Sequence, residues 1–278
     1  MPNPTQLFTV ANAFQCPVYV DQPSHWAMSS PVVVLLPALG VARQKYQTVI
    51  AHLVEHGYAV VSADMPGYGD SLPRPSRQHD YGYADLVREY IPALLQQARD
   101  LNPRQTPILF GHSIGGHIAT LYAHTTHQPF SMFCVASGNV HHQNWPPASQ
   151  AKLRRAAFLF KWMAQAYGYF PGKKVGFGIH EAKRLIIDWT KIVRTGRFDH
   201  IEPQFARPAQ QSRDAVFVHI EGDDWAPLAS VQTLSERIPS AKTVSIALQA
   251  DVRGNPHSGW VRNPAEIVAL LHQHVQAA

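Results

Sequence analysis

Short runs of apolar and β-branched residues recur along the chain, bounded by Pro, Gly, Asp or Ser: residues 32–36, 58–61, 107–110, 132–135, 215–218 and 243–248. They are nearly continuous rather than alternating, which is the pattern of strands buried on both faces of a parallel sheet. Between them the period becomes helical. Tyr46, Val49, Ile50, Leu53 and Val54 make one apolar stripe, and Leu86, Tyr90, Leu94, Leu95 and Ala98 make another. A third follows in Ile118, Ala119 and Tyr122, and a last in Ile267, Ala269, Leu270, Leu271 and Val275. Strands alternating with such helices predict βαβ units, and hence an α/β fold with a mostly parallel sheet flanked by helices.

The alternation breaks over residues 139–213. Helical patterns lie at 151–167 and 181–194, no strand run is evident, and aromatics are dense: Trp145, Phe158, Phe160, Trp162, Tyr167, Tyr169, Phe170, Phe177 and Trp189. This predicts a core in two parts, 1–138 and 214–278, interrupted by a helical lid inserted at 139–213. Of the 278 residues, 45% are hydrophobic and 15% charged, which excludes intrinsic disorder and suits one large core.

Charge changes the picture further. The net +5 is uneven: residues 141–213 hold 13 Lys and Arg against 4 Asp and Glu, or +9, while the rest holds 11 against 15, or −4. Two cysteines, Cys16 and Cys134, without metal-ligand spacing predict neither a disulfide framework nor structural zinc, and fit a reduced compartment. Residues 1–14 lack the features of an export signal, and no apolar run approaches the ~18 residues of a membrane span. A cytoplasmic protein is the expectation.

The sharpest motif is Gly111-His112-Ser113-Ile114-Gly115-Gly116, directly after one strand run and directly before a helical stripe. Small residues around a serine on a sharp strand-to-helix turn let its hydroxyl project from the sheet edge as a nucleophile. The plainer alternative is a glycine-rich turn whose serine only caps the helix. A nucleophilic serine needs a base. Among 16 histidines, His257 stands in a Gly- and Pro-rich loop after the last strand run, on the rim where Ser113 should also lie. His112 adjoins the serine but should point away from it and pack beside the site. A carboxylate to orient His257 should follow another strand, and Glu221, Asp223 and Asp224 all lie after the run at 215–218. Any one of them alternatively caps the next helix.

With these pieces in order the chain resembles the α/β-hydrolases. Leu36-Pro37-Ala38-Leu39-Gly40 stands where that family has its first oxyanion-hole turn, and Asp64-Met65-Pro66-Gly67-Tyr68-Gly69-Asp70-Ser71 is similar to its D-x-x-G-x-G-x-S loop. Serine, acid and histidine also follow in the family's chain order. More narrowly, Leu36-Pro37-Ala38-Leu39-Gly40-Val41, Gly168-Tyr169-Phe170-Pro171-Gly172-Lys173 and Asp224-Trp225-Ala226-Pro227 resemble a branch of predicted bacterial serine hydrolases of unassigned substrate. The resemblance implies a triad of Ser113, Asp223 and His257. The family places its aspartate four residues before a proline, which from Pro227 selects Asp223, with Asp224 the alternative. It also implies oxyanion donors at the Ile114 and Leu39 N–H groups, although Pro37-Ala38 replaces the commoner His-Gly.

The expected activity is hydrolysis of a carboxylic ester or thioester on a small or medium acyl substrate, with no cofactor and no metal. Alternatives are an acyltransferase, C–C hydrolase or lyase on the same triad, or a non-catalytic ligand-binding protein of this fold. No stacking platform accompanies the positive charge, so nucleic acid is not an expected partner. Contact with an acidic membrane surface and a homo-oligomer both stay open.

Overall fold

The computed structural model describes residues 4–249 and 254–277, so the first three residues of the amino-terminal stretch lie outside it. Its strands are β1 Gln6–Val10, β2 Phe14–Asp21, β3 Val32–Leu36, β4 Ala59–Ala63, β5 Ile108–His112, β6 Ser131–Val135, β7 Tyr169–Phe170, β8 Glu181–Ala182, β9 Ala215–Ile220 and β10 Lys242–Ile246. Eight of them form one sheet in the order β1-β2-β4-β3-β5-β6-β9-β10, parallel from β4 through β10. The helices are α1 Gln47–Glu55, α2 Tyr83–Asp85, α3 Ile91–Leu101, α4 Ile114–Tyr122, α5 Pro147–Tyr167, α6 Lys183–Thr195, α7 Leu228–Ser235, α8 Pro256–Gly259 and α9 Ala265–Ala277.

Residues of β3 alternate between two apolar layers. Val33 and Leu35 pack with Val49 and Leu53 of α1 and Ile267 and Leu271 of α9. Val32, Val34 and Leu36 face the opposite layer, with Leu94 of α3 and Ile118 of α4. Both faces being covered is why the strand reads as unbroken apolar sequence.

The antiparallel start of the sheet was not anticipated. Strand β1 pairs antiparallel with β2, and β2 pairs antiparallel with β4. In β2 buried Phe14, Cys16 and Val18 alternate with exposed Gln15 and partly exposed Pro17. A search for continuous apolar runs misses that alternation, and Pro17 reads as a strand breaker.

Between β6 and β9 the chain leaves the sheet to form α5, α6 and a short hairpin in which β7 and β8 pair antiparallel. These two-residue strands also escaped the sequence reading, being too short to carry a pattern. Helix α6 buries Leu185, Ile186, Trp189, Ile192 and Val193, the spacing of one apolar stripe. Phe160 of α5 stacks on Trp189 and Phe177, and packs against Phe170, so aromatics knit this segment together. Among the described residues, no helix is long and apolar enough to cross a membrane.

Candidate active site

Strand β5 ends at His112, and Ser113 makes the turn into α4 with φ 54° and ψ −116°. A non-glycine residue holds such a backbone only where its surroundings impose it. The Ser113 N–H donates to the Val135 carbonyl at 3.0 Å, tying the turn to β6. The turn closes tightly: a Cβ on Gly111 would sit 2.6 Å from the Gly116 nitrogen, and one on Gly115 would sit 2.2 Å from the Leu36 carbonyl oxygen. Glycine at these two positions is therefore a steric necessity of the elbow.

Ser113, Asp223 and His257 follow the carboxyl ends of β5, β9 and β10, and the parallel sheet brings these ends to one rim. His257 Nε2 lies 3.0 Å from Ser113 Oγ, and His257 Nδ1 lies 2.8 Å from Asp223 Oδ2. A carboxylate only accepts, so Nδ1 carries the proton and Nε2 is left to accept from the serine hydroxyl. Asp223 is buried, and its Oδ1 accepts from the N–H groups of Trp225 at 2.8 Å and Ala226 at 3.1 Å. Asp224 and Glu221 are exposed, and Asp224 meets the inserted segment through its carbonyl, which accepts from Trp145 Nε1 at 2.8 Å. Of the three carboxylates that follow β9, Asp223 is thus the one hydrogen-bonded to His257.

The backbone of His257 is held as closely as its ring. Its N–H donates to Asn255 Oδ1 at 2.9 Å, and its carbonyl accepts from His112 Nε2 at 2.8 Å and Trp260 Nε1 at 3.1 Å. Tyr46 holds the other side of His112. The Tyr46 hydroxyl accepts from the Ala38 N–H at 2.8 Å and lies 2.7 Å from His112 Nδ1, so its own proton goes to that nitrogen. Burial pushes the His112 pKa down to about 3, with the neighbouring His257 ring acting the same way, which keeps His112 neutral. A chain of hydrogen bonds therefore links the turn at Ala38 to the loop at His257 through two buried side chains. Sequence reasoning placed His112 beside the site and missed this bridge. Tyr46 gave no signal, since it sits on an apolar helical stripe like any core residue.

Ile114 follows Ser113 at the start of α4, and Leu39 lies in the turn that follows β3. Among the described residues neither the Ile114 N–H, at the start of α4, nor the Leu39 N–H donates to another protein group. The turn that carries Leu39 is overlaid by the inserted segment, where Gly178 packs directly on Gly40. Trp225, also not singled out from sequence, stacks on Phe177 of that segment at 5.6 Å and lies 6.0 Å from the His257 ring. Among the described residues, no three His, Cys, Asp or Glu side chains gather as a metal site requires.

Known structures share this architecture. An esterase from Exiguobacterium antarcticum, EaEST, superposes with a TM-score of 0.63 at 15% identity, covering 99% of this chain and all of the other. Est1E from Butyrivibrio proteoclasticus, solved with ferulic acid bound, gives 0.64 at 16% identity over 98% of this chain and 100% of that one. An enol-lactonase from Burkholderia xenovorans LB400 gives 0.60 at 15% identity, again over 98% and 100%. No curated protein matches in sequence. The sequence model for the alpha/beta hydrolase fold matches residues 31–186, more than half of the chain and inclusive of the serine elbow, so the chain belongs to the α/β-hydrolase fold family.

Proposed function

We propose that this protein is a serine hydrolase that cleaves a carboxylic ester or thioester through an acyl-enzyme. The observation that carries this reading is the hydrogen-bonded line from Ser113 Oγ through His257 to Asp223, with contacts of 3.0 and 2.8 Å. His257 takes the hydroxyl proton as Ser113 Oγ adds to the substrate carbonyl carbon, and Asp223 holds the ring and stabilises the imidazolium. The Ile114 and Leu39 N–H groups receive the oxyanion, Ile114 with the added help of the α4 amino terminus. Collapse of the adduct breaks the bond to the leaving alcohol or thiol, which departs with the proton held by His257. Water, deprotonated in turn by His257, adds to the acyl-enzyme and releases the acid. The segment 139–213 acts as a lid, with Phe177 against Trp225 shaping the acyl pocket. The names of structurally similar proteins, an esterase and an enol-lactonase among them, agree with this chemistry.

A fluorophosphonate probe is expected to add its mass at Ser113, read by intact-protein and peptide mass spectrometry. Ser113→Ala should escape labelling and lower ester turnover by about 10⁴-fold or more. Wild-type turnover in a folded Ser113→Ala protein would remove the reading. A panel of esters and thioesters of graded chain length then identifies the substrate.

A further inference from the structure

Helix α5 has two apolar sides, only one of which folding uses. Ala157, Phe160, Met163 and Ala164 form its buried stripe against the rest of the inserted segment. On the opposite side Phe158 is 73% exposed, Leu159 45% and Trp162 60%, with exposed Arg155 one turn back. Over its 21 residues the helix carries four cations, Lys152, Arg154, Arg155 and Lys161, and no acidic residue. Among the described residues none of the four is in a salt bridge. The same composition continues from the last residue of the helix onward: Tyr167 and, beyond the helix, Val175 are exposed, and Lys174 Nζ lies 5.1 Å from the centre of the Tyr167 ring.

We propose that this outer face of α5 docks on an anionic lipid bilayer, with Phe158, Leu159 and Trp162 in the boundary between headgroups and acyl chains and the four cations against lipid phosphates. Large aromatic side chains beside unpaired Lys and Arg are the makings of a helix that lies in a membrane interface. Tryptophan suits that boundary because its ring is apolar and its N–H polar. Charge separates this occupant from a second copy of the chain: two α5 faces brought together would set cation against cation, whereas an anionic bilayer complements every charge on the helix. The opposite, buried side of the same helix leads toward the site through a column of rings. Phe160 stacks on Phe177 at 5.1 Å, Phe177 on Trp225 at 5.6 Å, and Trp225 lies 6.0 Å from His257. Docking there holds the helix that carries one end of this column at the bilayer surface, from which dissolved substrates come. It does not depend on Ser113 being a nucleophile, since binding is measured without turnover.

The test is flotation of the full chain with vesicles of phosphatidylcholine containing about one third phosphatidylglycerol, against vesicles of phosphatidylcholine alone. Binding is expected to the first and to be at least about tenfold weaker to the second, and to fall as salt approaches about 0.5 M. Phe158→Ser with Trp162→Ser should weaken binding by about tenfold or more, as should Arg154→Glu with Arg155→Glu. All four side chains concerned are exposed, so the variants should fold, which circular dichroism and an unchanged melting temperature verify. No binding to the anionic vesicles overturns the proposal, as does binding that both double variants retain. A dimer in size-exclusion chromatography that Phe158→Ser with Trp162→Ser dissolves would assign the face to a second copy and likewise overturn it.

Discussion

Asp223 and Asp224 are neighbours with opposite surroundings. Asp223 is buried, accepts two backbone N–H bonds and reaches His257, whereas the Asp224 side chain faces solvent. Asp223→Asn should preserve the shape of the site but favour the wrong tautomer of His257, lowering kcat by about 10⁴-fold. Asp224→Asn should leave kcat near the wild-type value, and steady-state kinetics on the two variants distinguishes them. Tyr46 and His112 act one step further out, as positioning residues. Tyr46→Phe removes the hydroxyl that satisfies both the Ala38 N–H and His112 Nδ1, leaving two buried groups unpaired. A loss of about 1–3 kcal/mol of stability follows. The same change frees the turn beside Leu39 and the carbonyl side of His257. It should therefore lower kcat while leaving KM nearly unchanged, and slow fluorophosphonate labelling. A loss of stability with unchanged kcat would show that the bridge serves folding alone.

At the scale of elements, the β7–β8 hairpin packs on the turn at Gly40 through Gly178 and carries a buried acid. Glu181 Oε1 accepts from the Ile179 N–H at 2.6 Å, while Oε2 is buried with no hydrogen-bond partner among the described residues. Burial pushes the Glu181 pKa from 4.5 up to about 7, opposed in part by the Tyr68 hydroxyl and the Ile179 and His180 N–H groups. A folded value above the unfolded one means that the folded protein binds the proton more tightly. The stability this contributes is full below pH 4.5 and is lost as pH rises through about 7. Glu181→Gln imitates the protonated acid and should lose this dependence. Relative to wild type it should gain on the order of 3 kcal/mol between pH 4.5 and 8, read from melting curves of the pair. Comparing the two isolates Glu181 from Asp188, whose pKa burial also raises, to about 6. This hairpin was invisible in the sequence because two residues carry no period. Strands β1 and β2 were missed for another reason: one of their faces is exposed, so they alternate. The strands covered on both faces were legible as apolar runs. At the site, a glycine-flanked serine between a strand run and a helical stripe singled out Ser113, and a Gly- and Pro-rich loop after the last strand run singled out His257. Choosing Asp223 over Asp224 drew on a family spacing, because local composition treats the two alike. The bridge from Ala38 to His257 joins residues far apart in the chain, and no local pattern encodes it.

At the scale of the whole molecule, the inserted segment's +9 against −4 elsewhere resolves into two populations. Part of the positive charge is spent on folding. Arg184 Nη2 meets Asp85 at 2.9 Å and Lys183 meets Asp80 at 3.6 Å, pinning α6 to the core, while Arg213 Nη1 donates to the Gln128 carbonyl at 3.0 Å. Among the described residues the cations of α5 are not engaged in this way, and they stand on the helix whose Phe160 begins the aromatic column leading to His257. Their field extends into solvent over about a Debye length, roughly 10 Å at 0.1 M salt, and should raise the local concentration of anionic substrates. Matched anionic and neutral esters should therefore respond differently to salt. Between about 0.02 and about 0.5 M NaCl, kcat/KM for the anionic ester should fall several-fold while that for the neutral ester stays flat. Arg154→Glu with Arg155→Glu should abolish the slope without altering turnover of the neutral ester, since neither residue touches Ser113, Asp223 or His257. Equal and flat responses in the wild-type protein would confine the α5 charges to surfaces rather than soluble substrates, because a bilayer gathers many weak contacts at once where a single small anion makes few.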